Sequence, residues 1–398
     1  MRHDLLLRNV RPMGGPTTDV LIRAGRIAGL RAGLEAPGVP VEDGGGALMI
    51  PGLVEAHTHL DKSLWGMDWR PHRAGPTVLD KIEAERQLRA TGAIDPARQS
   101  ARLLVQALGM GTTHIRTHVD IDDVGRLAGL EGVLATRAAY ADMMDVEIVA
   151  FPQSGILVRR GIAALMEDAL RMGAEVVGGL DPCAIDRDPK GHLDVVFGLA
   201  ERFGRPVDIH LHEGGTMGAF SLELILERAR ALGMKGQVTV SHAFCLGDPD
   251  DSLVGPLLEA MAALDVAVAT TAPASRPVPA VARLRARGIR VCAGSDGVRD
   301  SWNPYGTADM LERAMLVGLR NNFRREDEMQ LALDVCTRGG ASVLRLGDYG
   351  LEPGCNADLV LIEAETPAQA VAAHPPRRLV VKRGLVVARN GEALSRAP

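Results

Sequence analysis

Lysine is scarce in this chain. Lys62, Lys81, Lys190, Lys235 and Lys382 are the only five in 398 residues, and the other basic side chains are arginine. Aromatic residues make up only 3%. No run of about 18 apolar residues occurs, so no membrane-spanning helix is expected. The Leu5-Leu6-Leu7 run ahead of Arg8 is too short for the apolar stretch of a secretory leader. Basic charge is not in excess: the formal net charge is −5 and the isoelectric point about 6.1. With the arginines scattered, nucleic acid is set aside as a partner. The five cysteines, Cys183, Cys245, Cys292, Cys336 and Cys355, are odd in number and form no CxxC pair. That excludes a disulfide framework and a cysteine zinc knot, and fits a reducing cytoplasm. Repeats of 20–50 residues and low-complexity tracts are also missing.

What is present has an order. Hydrophobic residues at 46% and charged residues at 24% are ordinary for a globular protein. Both ends read as short strands and turns. Val20-Leu21-Ile22 runs into a turn at Ala24-Gly25, and residues 378–387 read as strand, turn and strand. One small β-sandwich built from both termini explains the two ends better than two separate edge pieces. Between them, eight apolar runs alternate with helical stretches: 47–57, 113–119, 146–151, 175–180, 207–212, 237–242, 266–270 and 289–294. This alternation predicts an α/β fold, a (β/α)8 TIM barrel. A doubly wound sheet is the alternative, but Gly44-Gly45-Gly46 precedes its strand where a dinucleotide fold needs glycines after it. The expected domains are 1–48 and 346–398 for the two parts of the sandwich, and 49–345 for the barrel.

The strand ends carry the chemistry. The first run ends in His57-Thr58-His59, the second in His118-Val119-Asp120, the fifth in His210-Leu211-His212-Glu213, the sixth in His242 and the eighth in Asp296. Residues i and i+2 on a strand share a face, so His57 and His59 would both point into the lumen. In a TIM barrel the C-terminal strand ends form the active face. Imidazoles and one carboxylate suit Zn2+ or Fe2+, with one position left for water. Glu213, a nearby carboxylate outside the ligand set, could move protons. Trp65 and Trp69 fall in the long segment after the first strand. They read either as an anchor for that loop or as an apolar lid.

These segments resemble the amidohydrolase superfamily, whose mark is the HxH closing the first strand, here Pro51-Gly52-Leu53-Val54-Glu55-Ala56-His57-Thr58-His59-Leu60-Asp61. Within it the chain looks most like the cytosine deaminase branch. That likeness is carried by Phe151-Pro152-Gln153-Ser154-Gly155, His210-Leu211-His212-Glu213 and Gly294-Ser295-Asp296-Gly297-Val298-Arg299-Asp300-Ser301-Trp302. The resemblance implies that His57, His59, His210 and Asp296 are metal ligands. It makes Glu213 the proton shuttle and gives His242 the hydrolytic water. Gln153 and Trp302 become substrate contacts. His118 and Asp120 would support the ligands, and His212 has no assigned role. Binuclear relatives bridge two metals with a lysine on strand four. The run 175–180 has none, so one divalent ion is expected. Where the branch has a second aspartate after the metal-binding one, this chain has Gly297. That reads as empty space, and suggests a larger or differently substituted ring than cytosine.

The implied reaction is hydrolytic deamination of an amino-substituted nitrogen heterocycle, cytosine-like, isocytosine, creatinine or related. A metal-bound hydroxide attacks the ring carbon, His242 and Asp296 take its proton, and Glu213 protonates the ring nitrogen. Three alternatives stay open. One is hydrolysis of an alkylamine from a triazine, of the N-isopropylammelide type. The others are a mononuclear amide hydrolase or deacetylase, and a metal-binding barrel without catalysis. The expected partner is a small heterocyclic substrate. Assembly into a homo-oligomer is open, since no interface signal is visible.

Overall fold

The computed structural model describes residues 3–394. The chain opens with strands β1 (Leu5–Pro12), β2 (Thr18–Arg23), β3 (Arg26–Arg31) and β4 (Val41–Pro51). β2 and β3 are joined through Ala24 and Gly25, both at positive φ, the backbone that a tight two-residue hairpin turn requires. β1 pairs antiparallel with β2 and parallel with β4.

Eight parallel strands follow: β5 (Leu53–Thr58), β6 (Thr112–Asp120), β7 (Asp145–Phe151), β8 (Val176–Leu180), β9 (Val207–His210), β10 (Val238–Ser241), β11 (Ala267–Thr270) and β12 (Val291–Ala293). Helices return between them, including Ala128–Ala139, Ile162–Met172, Pro189–Phe203, Gly215–Ala231 and Asp251–Leu264. Aspartate side chains cap several helix starts, as Asp95, Asp188, Asp250 and Asp309 accept backbone N–H bonds from the first turn. The chain then returns to the first sheet as β13 (Leu359–Ile362), β14 (Arg377–Lys382), β15 (Leu385–Arg389) and β16 (Glu392–Ala393). β13 pairs with β4, giving one sheet in the order β16-β15-β14-β13-β4-β1-β2-β3. The expected terminal β-domain is therefore built from both ends, as one hydrogen-bonded sheet of eight strands. Its own core includes Leu7, Ile22, Met49, Leu359 and Val381.

The (β/α)8 barrel closes where β12 meets β5. Thr58 and Asp296 form a bridge, and the Asp296 N–H donates to the His57 carbonyl at 2.8 Å. Gly294 makes the approach possible, because a Cβ there would lie 2.4 Å from the His57 carbonyl oxygen. The buried carboxylate of Glu55 fastens the seam by accepting from the Ser295 N–H at 2.9 Å and the His57 N–H at 3.2 Å.

The expected strands differ from the observed ones by a residue or more at their ends, and two of the differences matter. The apolar run 47–57 is divided: residues to Pro51 belong to the terminal sheet, and the barrel strand starts at Leu53. Continuous burial hid the break, since a strand buried on both faces has no alternation to lose. The fifth strand stops at His210, so His212 lies beyond it and does not share the His210 face by strand parity.

The sheet and the barrel are joined by a buried ammonium. Lys382 on β14 donates from Nζ to Asp145 at 2.8 Å, to Asp358 at 3.0 Å and to the Thr113 carbonyl at 3.1 Å, and lies 3.2 Å from His114 Nε2. His114, Asp145 and Asp358 are close enough to hold a metal ion, but the ammonium already supplies the positive charge there. Replacing Lys382 by Met should cost about 3–5 kcal/mol, because it removes the cation from the buried carboxylate of Asp358. Urea unfolding measures this; a loss below about 1 kcal/mol would show that the joint is not a structural anchor.

Candidate metal centre

Five imidazoles converge at the C-terminal mouth of the barrel. The His57 ring centroid lies 4.1 Å from that of His118, 4.5 Å from His210, 4.9 Å from His242 and 5.7 Å from His59. All five are buried. Asp296 reaches in from beyond β12, its Oδ1 3.3 Å from His59 Nε2 and 3.6 Å from His57 Nε2. The groups His57, His59 and Asp296, and His57, His210 and His242, each bring ligand atoms within 4.8 Å of one another.

The far side of each ring is what orients it. His57 Nδ1 is 2.9 Å from the Ser241 hydroxyl, which donates to Asp208 Oδ1 at 2.6 Å. Asp208 also accepts from Arg116 at 3.0 Å. His59 Nδ1 is 3.0 Å from the His118 carbonyl oxygen. Both rings therefore turn Nε2 toward Asp296. His57 Nε2, His242 Nε2 and both ring nitrogens of His210 and His118 are buried without a hydrogen-bond partner among the described residues. Such atoms are rare, because leaving one unpaired costs about 1–3 kcal/mol.

Burial also keeps imidazoles neutral. It pulls His59 down to about 4, with the Lys62 charge adding to the effect, and holds His210 and His242 well below the ordinary value. Burial works to raise the Asp296 carboxyl, but the His57 and His59 rings outweigh it and hold it well below the usual carboxylate range. Neutral imidazoles, orphaned nitrogens and one ionised carboxylate fit a divalent ion such as zinc or ferrous iron. His242 and Asp296 are held at positive φ, 68° and 62°, a strain of about 1–3 kcal/mol each that collects at functional sites.

The other expected residues lie around this cluster. Glu213 is buried and stands outside the ligand groups. Its Oε1 accepts the Cys183 and Ala184 N–H groups at 2.9 and 2.7 Å, its Oε2 accepts from the Ser221 hydroxyl, and burial raises its pKa. His118 lies 3.8 Å from Asp208 through Nε2. Asp120 lies 3.9 Å from His59 and pairs with Arg89 at 2.7 Å. His212 stacks on His242 at 4.3 Å and faces Trp302 at 6.4 Å, with its Nδ1 2.8 Å from Asp181. Of the two loop tryptophans, Trp65 is half-buried under Arg299, whereas Trp69 is 68% exposed.

Gly297 is not empty space. A Cβ there would lie 2.1 Å from Asp300 Oδ2, so the Asp300 carboxylate already fills the place where a side chain would begin. Asp300 Oδ1 caps the loop by accepting from Trp302 and Asn303 at 2.8 Å, and Oδ2 is buried without a partner. Sequence reading also passed over Lys62, Glu85, Asp181, Asp208 and Ser241. Asp208 was within reach, because it stands two residues before His210 on the same strand and so shares its face.

The chain matches the amidohydrolase family over residues 41–388 and belongs to that family. It is 31% identical to N-isopropylammelide isopropyl amidohydrolase of Pseudomonas sp., over 97% of this chain and 98% of that one. The crystal structure of N-isopropylammelide isopropylaminohydrolase from Burkholderia multivorans superposes with a TM-score of 0.95 at 53% identity, covering 98% of this chain and 100% of that one. That of 5-methylcytosine deaminase from Klebsiella pneumoniae, with 5-fluorocytosine bound, gives 0.86 at 29% identity, covering 99% of both. Among the described residues no helix is long and apolar enough to cross a membrane.

Two measurements test the centre. Asp208→Asn or Ser241→Ala should weaken zinc binding about 10–100-fold by freeing the His57 ring, read by chelator competition. Zinc uptake at pH 6 should release at most about one proton, since His59 and His210 are already neutral there. Release of about two or more, by calorimetry in buffers of different ionisation enthalpy, would contradict that protonation state.

Proposed function

We propose that this protein hydrolyses the bond between a ring carbon and an exocyclic amine on a nitrogen heterocycle, with N-alkylamino-triazines as the leading substrates. The observation that carries the reading is the 53% identity, over nearly the full length of both chains, to N-isopropylammelide isopropylaminohydrolase. The sequence alone put ammonia first as the leaving group and an alkylamine second. This likeness favours the reverse order, and the weaker likeness to 5-methylcytosine deaminase keeps ring deamination as the second reading.

In this reading His57, His59, His210 and Asp296 hold one divalent ion, Zn2+ or Fe2+. When bound, the ion supplies a water of lowered pKa and charge stabilisation. His242, with Nε2 free and its ring fixed by stacking on His212, accepts a proton from the attacking water together with Asp296. Glu213 carries a proton to the ring nitrogen. A raised carboxyl pKa suits that task, because the acid must hold its proton near the working pH. The amine leaves with a proton from Asp296 or Glu213, so water and the substituted ring become hydroxylated ring and free amine. Gln153 and Trp302 contact the ring. A cytoplasmic site of action accords with five cysteines that are all unpaired.

The test is release of amine from alkylamino-triazines, aminopyrimidines and pterins by protein loaded separately with zinc and ferrous iron. Metal-dependent release is expected, greatest with an alkylamino-triazine. Glu213→Gln should keep the metal and lower kcat about 10²–10⁴-fold. A variant that keeps most of its rate would remove Glu213 from the reaction, and turnover of linear amides alone would replace the proposal with amide hydrolysis.

A further inference from the structure

The segment between β5 and β6 carries a helix, Val78–Ala90, that covers the mouth of the barrel and buries only Ile82 and Glu85. Ile82 joins an apolar patch with Phe151, Leu180, Ile185 and Trp302. Glu85, 2% exposed, is a carboxylate where a lid would ordinarily place a hydrocarbon. Its Oε2 accepts from two donors on different loops, Lys62 Nζ at 3.1 Å and the Trp302 indole N–H. Lys62, itself 3% exposed, also donates to both Asp120 oxygens at 3.2 Å and to Gln153 Oε1 at 2.7 Å.

The last contact fixes a choice that an amide usually leaves open. The two ends of a glutamine have the same shape but opposite hydrogen-bonding character. An ammonium has three donors and no acceptor, so the end of Gln153 facing Lys62 has to be the oxygen. The NH2 end is turned away, and it forms no hydrogen bond among the described residues. Gln153 stands two residues beyond Phe151, whose ring stacks on His210 at 4.0 Å, and its partner Lys62 also holds Asp120, which lies 3.9 Å from His59, so the amide stands beside the metal centre.

We propose that Lys62, held in place by Glu85 of the covering helix, sets the polarity of Gln153, so that the pocket selects a ring presenting an oxo oxygen to Gln153 over the same ring bearing an amino group there. This rests on the function proposed above and narrows its substrate class. Lys62 and Glu85 are positioning residues: they act through Gln153. An amino group at that position would set donor against donor and leave both unpaired.

The probes are two alkylamino-triazines that differ only in carrying oxo or amino at one ring carbon. Each is measured on the zinc-loaded protein for Kd, by calorimetry, and for kcat and KM. The wild type should favour the oxo ring by about 10²-fold or more. Gln153→Glu nearly keeps the shape and pairs with Lys62, but presents only acceptors, so it should prefer the amino ring. Glu85→Ala should raise KM for the oxo ring about tenfold while kcat changes less, and narrow the preference. Glu85→Gln, whose amide oxygen can still accept from Lys62, should restore it. A wild type that does not distinguish the rings, or a Gln153→Glu protein of unchanged melting temperature that keeps the wild-type preference, overturns the inference. Should neither ring be turned over, the reaction proposed above fails, while the Kd values of wild type and Gln153→Glu still decide the polarity. Absence of binding by either ring overturns both.

Discussion

The structure turns on a group of buried imidazoles, several of whose ring nitrogens have no hydrogen-bond partner among the described residues. His57 is their centre, with His118, His210 and His242 within 5 Å of it, centroid to centroid. A fold that only needed to fill its lumen would use hydrocarbon, which costs nothing to desolvate. Placing several neutral rings together, with their nitrogens aimed at one another and at Asp296, is unfavourable unless a cation relieves it. The surroundings are built to sustain the arrangement. Asp208 and Ser241 orient His57 from behind, and the His118 carbonyl orients His59.

Closure of the barrel and assembly of this group are one event. The Glu55 carboxylate and the bare Cα of Gly294 let β12 approach β5, and the same contact carries Asp296 to the rings of His57 and His59. The positive φ of Asp296 and of His242 is stored in the turns just after their strands. The opposite end of the barrel is fixed independently by Lys382, whose ammonium ties the sheet made from both termini to the starts of β6 and β7.

The barrel was legible in the sequence because strand and helix periods alternate eight times, and the convergence of imidazoles because histidines end the strands. Both are local signals. The division of the run 47–57 between two sheets was not legible, since the residues on either side of Pro51 are equally apolar and equally buried. The network around Lys62 was hidden for another reason. Its partners lie 23, 58 and 91 residues away, and Trp302 is 217 residues from Glu85. Nothing in a polar segment rich in Arg and Glu marks one glutamate as the buried one. The missing side chain at Gly297 does not mark a space, because the loop folds the Asp300 carboxylate into it. The choice between ammonia and an alkylamine as leaving group was not legible either, since the same proposed residues would serve both.

The proposed centre holds one divalent ion among His57, His59, His210 and Asp296. Anomalous diffraction at the zinc and iron absorption edges, on crystals of protein purified without added metal, tests it most directly. One peak per chain is expected, at coordination distance from His57 Nε2, His59 Nε2, His210 and Asp296 Oδ1. Two peaks in that space, or a single one centred on His118 and Asp208, would contradict it.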